Sequence, residues 1–132
     1  MQLETEWVKR PVIRLDMSRA GAEPETLRSY LDNIFKQYEE EYSLAPDPTD
    51  SLADRFNAII VGAYDQTGQQ VAILIDEYDS PLQHSRKTPQ HEACTAIYRE
   101  VFAILKAEQI REVCLHHRHH QVHANLAFLC AQ

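Results

Sequence analysis

Glycine is scarce in this 132-residue sequence, which has only Gly21, Gly62 and Gly68. None is followed by Lys and then Ser or Thr, so no glycine-rich loop with amides that cradle phosphates can be assembled. Cysteine is equally sparse. Cys94, Cys114 and Cys130 show no Cys-x-x-Cys spacing, and an odd set suits free thiols in a reducing, cytoplasmic compartment better than a disulfide framework. The opening Met1-Gln2-Leu3-Glu4-Thr5-Glu6-Trp7 has neither a basic region nor an apolar one. No stretch approaches the roughly 18 apolar residues of a membrane span, so the chain reads as neither secreted by a recognisable signal nor inserted in a membrane. Positive charge is also short. Thirteen Lys and Arg stand against twenty Asp and Glu, a net charge of -7, and the basic residues are scattered, which argues against nucleic-acid binding by this segment.

What is present suits one globular unit, or part of one: 44% hydrophobic and 25% charged residues in a length too short for two independent cores. Pro11-Val12-Ile13-Arg14-Leu15-Asp16-Met17 is short and rich in β-branched residues, and predicts a strand that ends at Asp16 and Ser18. Pro24 opens an amphipathic helix through Leu27, Tyr30, Leu31, Ile34 and Tyr38 to about Tyr42, with Tyr30 and Tyr38 at the core edge and their hydroxyls in water. Glu39-Glu40-Glu41 reads as its solvated face. The prolines of Ala45-Pro46-Asp47-Pro48 separate it from a second helix, capped by Ser51, carried by Leu52, Phe56, Ile59, Ile60 and Ala63, and stopped at Gly68. A second strand follows at Val71-Ala72-Ile73-Leu74-Ile75, five apolar residues in a row, as expected where both faces are buried. Thr88-Pro89 predicts the start of a third helix, through Ile97, Val101, Ile104 and Leu105 to about Glu108, and Trp7 is read as an anchor for the first strand. This β-α-α-β-α order implies an α/β layer structure with a mostly parallel sheet. Two strands make no stable sheet alone, so its missing neighbours must come from elsewhere.

The informative feature is the end of the second strand, Ile75-Asp76-Glu77-Tyr78-Asp79-Ser80-Pro81-Leu82. Ligands of parallel α/β sheets bind at the carboxyl ends of strands, where these carboxylates lie. Asp76 is the candidate Mg²⁺ holder, usually through water, and Glu77 the candidate general base, with strand alternation turning the two in different directions. The bland alternative is that a buried strand must end and acidic residues often mark the turn. Asp79 could orient a neighbour or be a turn carboxylate, Asp16 and Ser18 could touch phosphate or magnesium or form an Asx or Ser turn, and Pro81 shapes the exit.

Ile73 to Leu82 resembles the Walker B segment of the bacterial AAA-ATPase-like family, whose members read LIDEYDKPL there. Trp7 to Ser18 is similar to that family's PVI-x-LDFS strand, and Tyr98 to Lys106 to its FYxxLK helix; the likeness covers roughly residues 3 to 112. It implies a P-loop NTPase-type three-layer fold, ATP and Mg²⁺ as cofactors of the parent, Asp76 on the metal and Glu77 as base. A PD-(D/E)XK nuclease-like domain often follows in the family, and nothing in this sequence shows one. Family members also place a Gly-Lys-Ser loop before the PVI strand. Without that Walker A loop no cofactor-binding residues can be assigned, and the chain reads as an ATPase fragment, inactive alone, whose partner is the missing ATPase portion or a second copy.

The tail offers His116, His117, His119, His120 and His123 at spacings that could surround Zn²⁺, with Cys114 or Cys130 as thiolate. A small metal-binding protein and a non-enzymatic interaction module are therefore the competing functions. The family, however, continues here with a strand resembling FITGITKFT. If Arg118 uses a CGN codon, shifting the codons of His116 to Ala124 by one base permits ITGITKFT, so residues 1–112 are read as a partial ATPase-like domain and 113–132 as a frameshifted tail. Sequencing the coding DNA checks this: the +1 frame should continue into family-like sequence, and any other continuation rejects the frameshift.

Overall fold

A computed structural model describes residues 10–116 and 121–123. Strands β1 (Val12–Asp16), β2 (Val71–Asp76), β3 (Ile110–His116) and β4 (Gln121–His123) form one sheet in the order β1-β2-β3-β4. The first three run parallel and β4 returns antiparallel. The sheet is thus the mostly parallel α/β sheet expected, with β2 central. Strand β3 was not anticipated. Its register against β2 shifts between Val71 and Ala72, whose partners are Ile110 and Glu112, so Arg111 is an extra residue and the period-two pattern breaks there. Beyond it Val113, Cys114 and Leu115 are all buried, and the strand spans the boundary drawn between residues 112 and 113.

Helix α1 (Pro24–Glu41) begins with its proline in the first turn and buries Leu27, Leu31 and Phe35. Helix α2 (Leu52–Thr67) opens on a reciprocal capping box between Ser51 and Asp54 and closes on Gly68 at φ 71°, a left-handed cap that glycine takes without steric cost. A short helix α3 (Ser80–Ser85), not foreseen, starts through Pro81, which is buried in its first turn rather than merely bending the exit. Helix α4 (His91–Phe102) is capped at Gln90 and starts two residues later than a Thr88 cap with Pro89 in the first position suggested. The Thr88 hydroxyl instead donates to the Ser85 carbonyl at 2.7 Å and accepts from the Gln90 amide at 3.2 Å, so it shapes the turn between α3 and α4. A 3-10 turn, Ala103–Lys106, leads on toward β3.

Side chains on a strand alternate between faces, and one face supplies the core. Ile13, Leu15, Ile73, Ile75, Val113 and Leu115 share a cluster with Leu27, Phe35, Phe56 and Ile97 of the helices. Phe35 stacks on Phe56 at 5.1 Å, and Phe56 meets Phe102 edge-on at 6.3 Å, so aromatic rings tie α1, α2 and α4 together. Val12, Ala72, Leu74 and Cys114 stand on the opposite face and outside that cluster. Among the described residues the helices bury their apolar sides against one face, so two layers of the expected three are present. No described helix is long and apolar enough to cross a membrane. Trp7, His117, His119, His120 and Cys130 lie outside the described residues.

Two details of α1 differ from the sequence reading. The Tyr38 hydroxyl accepts from the Arg14 amide at 2.8 Å, and Tyr30 from the Asp16 amide at 2.7 Å. These phenols occupy the outer edge of β1 instead of reaching only water, which closes an otherwise unpaired strand edge. Glu39 is not on the solvated face. It is buried, and Arg55 of α2 grips it with two nitrogens at 2.8 and 2.9 Å while a third reaches Asp32 at 2.5 Å.

The Arg55 guanidinium holds the Asp32 carboxyl below the ordinary 3.8, and the Glu39 hydrogen bonds push the Arg55 pKa up. Since the folded pKa of Asp32 is depressed, its contribution is complete above pH 3.8 and is lost as the pH falls further; 42% side-chain exposure keeps it small. Glu39 is the stronger constraint. Removing Arg55 strands a buried carboxylate, so Arg55→Leu should cost about 3–5 kcal/mol in urea unfolding, while Arg55→Leu with Glu39→Leu should recover most of it.

Candidate functional site at the carboxyl edge of the sheet

The parallel register brings the last residues of three strands into one row: Asp16 is the partner of Asp76, and Asp76 the partner of His116. Neighbouring strands lie roughly 4.8 Å apart, so two carboxylate-bearing positions are adjacent at the edge where ligands of such sheets bind. Asp76 is half-buried and is the last residue of β2. Asp16 is already engaged. One of its carboxylate oxygens accepts from the Ser18 amide at 3.2 Å and the Ser18 hydroxyl at 2.7 Å, capping the 3-10 turn Met17–Arg19. The turn reading of Asp16 and Ser18 therefore describes their geometry.

Glu77 is not part of the strand. It takes φ 51°, left-handed backbone that a side chain other than glycine adopts at a cost of about 1–2 kcal/mol. Its direction relative to Asp76 is thus set by a turn and not by the strand alternation expected. Within that turn the Glu77 carbonyl accepts from the Ser80 amide at 2.9 Å. Asp79 then stands at the head of α3, where its carboxylate accepts from the Gln83 side chain at 3.0 Å and its carbonyl from the Gln83 amide at 2.8 Å. From outside the turn, the buried Tyr98 of α4 donates its hydroxyl to the Tyr78 carbonyl in a short hydrogen bond. Burial, and then the charge of Asp79, push the Tyr98 phenol far above its ordinary 10.0. The sequence reading noted the segment beginning at Tyr98 but gave its hydroxyl no role; nothing in helical periodicity distinguishes a core tyrosine from one that ties a loop.

Two hollows flank this turn. One, about 220 Å³, is lined by Tyr78, Asp79, Leu82, Gln83, Arg86 and His91. The other is an apolar recess of about 40 Å³ among Ile75, Tyr78, Leu82, Tyr98, Phe102 and Leu115. A larger groove of about 430 Å³ lies away from the strand ends, beside Asp32, Lys36, Glu39 and Arg55. At the junction of α3 and α4 the buried Ser85 hydroxyl lies 3.2 Å from Nδ1 of the half-buried His91.

Magnesium keeps most of its water and takes one or two carboxylates plus substrate phosphates, and the half-buried Asp76 is a carboxylate at the strand end. The described residues hold no group of three or more His, Cys, Asp or Glu arranged for a metal ion. His116 and His123 fall in β3 and β4, while the other tail histidines are outside the described residues. For the phosphates themselves no cradle exists among the glycines. Gly68 caps α2, Gly62 lies inside α2 against Leu44, and Gly21, at φ 79°, sits where a Cβ would run into the Thr26 side chain. All three are taken up by turns and packing.

A family model described as predicted AAA-ATPase matches residues 1–116. Nothing among curated proteins and nothing among solved structures matches the chain.

The backbone at Glu77 makes an unusual prediction. Glycine normally weakens an ordered segment, but Glu77→Gly should raise stability by about 0.5–1 kcal/mol, seen as a melting temperature a few degrees higher, because the left-handed geometry is free of cost for glycine. An equal or lower melting temperature would mean that Glu77 is unstrained.

Proposed function

Because this chain belongs to the AAA-ATPase-like family, with 116 of its 132 residues matched, we propose that it carries the Walker B portion of an ATPase and is a fragment of the complete enzyme. The observation behind this reading is the acidic end of the central strand, Asp76 and Glu77, in a parallel sheet whose carboxyl edge also brings Asp16 alongside. In the complete enzyme Asp76 would hold Mg²⁺, which would supply charge neutralisation at the phosphates, and Glu77 would accept a proton from the water that attacks the γ-phosphate, with ADP leaving. ATP with Mg²⁺ supplies the phosphoryl group and the neutralising charge. The remaining requirement is positioning, and most phosphoryl-transfer catalysis consists of it.

That requirement is what this sequence lacks. Its three glycines support turns and packing, so they form no phosphate-cradling loop, and on this reading the chain alone turns over no ATP. The phosphate-gripping portion is the partner this reading calls for, in a cytoplasmic setting. The family match runs to residue 116, past the boundary drawn after residue 112, and stops as the histidines begin; a tail in a shifted frame remains our reading over a selected zinc site.

A second reading, a non-enzymatic module that completes its structure against another chain, has one observation in its favour: among the described residues the helices cover a single face of the sheet. Concentration-dependent unfolding would support it.

Phosphate release from purified chain with Mg²⁺ and ATP tests the first reading. The unaltered chain and Glu77→Gln should both stay at the background rate. A magnesium-dependent rate abolished by Glu77→Gln would refute the inactivity of the chain and place a phosphate grip somewhere unrecognised.

A further inference from the structure

Glu77 occupies left-handed backbone, so something must hold the turn in that state. Its own local hydrogen bond, from the Ser80 amide to the Glu77 carbonyl, closes a four-residue turn around Tyr78 and Asp79 and does not by itself fix the Glu77 φ. Gln83 secures Asp79 but lies in the same short helix and moves with it. Tyr98 is different. It comes from α4, twenty residues on, and its ring is fixed by burial and by edge-on contact with Phe102 at 5.1 Å. Its hydroxyl meets the carbonyl of Tyr78, which belongs to the Tyr78–Asp79 peptide at the middle of the turn closed by the Ser80-to-Glu77 hydrogen bond.

We propose that Tyr98 is a positioning residue: by holding the Tyr78 carbonyl it keeps the Glu77 backbone left-handed and so sets where the Glu77 side chain leaves the sheet edge. The energetics agree. A hydrogen bond buried away from water resists rotation of the peptide it holds, and its ordinary net strength is comparable with the left-handed cost at Glu77. The high phenol pKa keeps the donor proton in place at any physiological pH. This inference deepens the ATPase reading, and rests on it only for the chemical use of Glu77.

Native-state amide hydrogen exchange on the full chain tests it. Tyr98→Phe keeps the ring and removes only the donor. The Ser80 amide should then exchange about tenfold faster relative to the Ile75 amide in β2, because the turn relaxes while the strand persists. In the Glu77→Gly/Tyr98→Phe double variant the Ser80-to-Ile75 ratio should return to its native value, since glycine holds the left-handed state without help. A role in packing alone would give no such rescue. An unchanged ratio in Tyr98→Phe, or a raised ratio that glycine leaves uncorrected, overturns the proposal. If Tyr98→Phe does not fold, the unaltered chain decides: a slowly exchanging Tyr98 hydroxyl proton with a nuclear Overhauser contact to the Asp79 amide supports the tie, and its absence contradicts it. None of these readouts involves ATP, so the ATPase reading and this inference fail separately.

Discussion

Everything in this molecule depends on β2 being paired on both edges. A strand of five consecutive apolar residues can be buried only if its amides and carbonyls find partners on either side, and β1 and β3 supply them in parallel register. Parallel pairing then requires crossovers, which is why α1 and α2 lie between β1 and β2, and α3 and α4 between β2 and β3. The same direction for three strands also gathers their carboxyl ends, so Asp16 and Asp76 become neighbours although sixty residues separate them in sequence. Site and core therefore arise from one constraint.

The edges of the sheet are treated unequally. On the β1 side, two tyrosine hydroxyls from α1 take up the amides of Arg14 and Asp16, and Tyr38 also approaches the Arg14 carbonyl at 3.4 Å. That edge is occupied by side chains and is poorly suited to receive another strand. On the β3 side the next element is a strand, β4, paired through Cys114, Leu115 and His116. In our reading of the chain as part of an ATPase, a sheet that extends beyond these strands does so from the β3 side.

Much of this was legible in the residues. Apolar residues at helical spacing, bounded by Pro24, Ser51 and Gly68, located α1 and α2 closely, because local capping chemistry and periodicity act through neighbouring residues. The apolar run and its acidic end located β2. What escaped were features decided by residues distant in sequence. Strand β3 was missed because residues from Val113 onward were read as a shifted-frame tail and a register shift at Arg111 breaks its alternation, and Glu39 looked solvated until Arg55 arrived from another helix. Glu77 looked like a strand residue because strand patterns say nothing about the backbone angle of the residue after the last ladder bond. For the candidate site, Asp76 and Glu77 stand out in the sequence, but their relative orientation does not, since a turn sets it and, in our proposal, a tyrosine from α4 holds that turn.

On the proposed reading, the acidic strand end at Asp76 and Glu77 stands in this chain without the means to hold a nucleotide's phosphates. Titration calorimetry of Mg²⁺ and ATP into the purified full chain tests that most directly. Millimolar nucleotide should give no saturable heat; a stoichiometric event with a dissociation constant in the micromolar range would show that the chain grips phosphates after all.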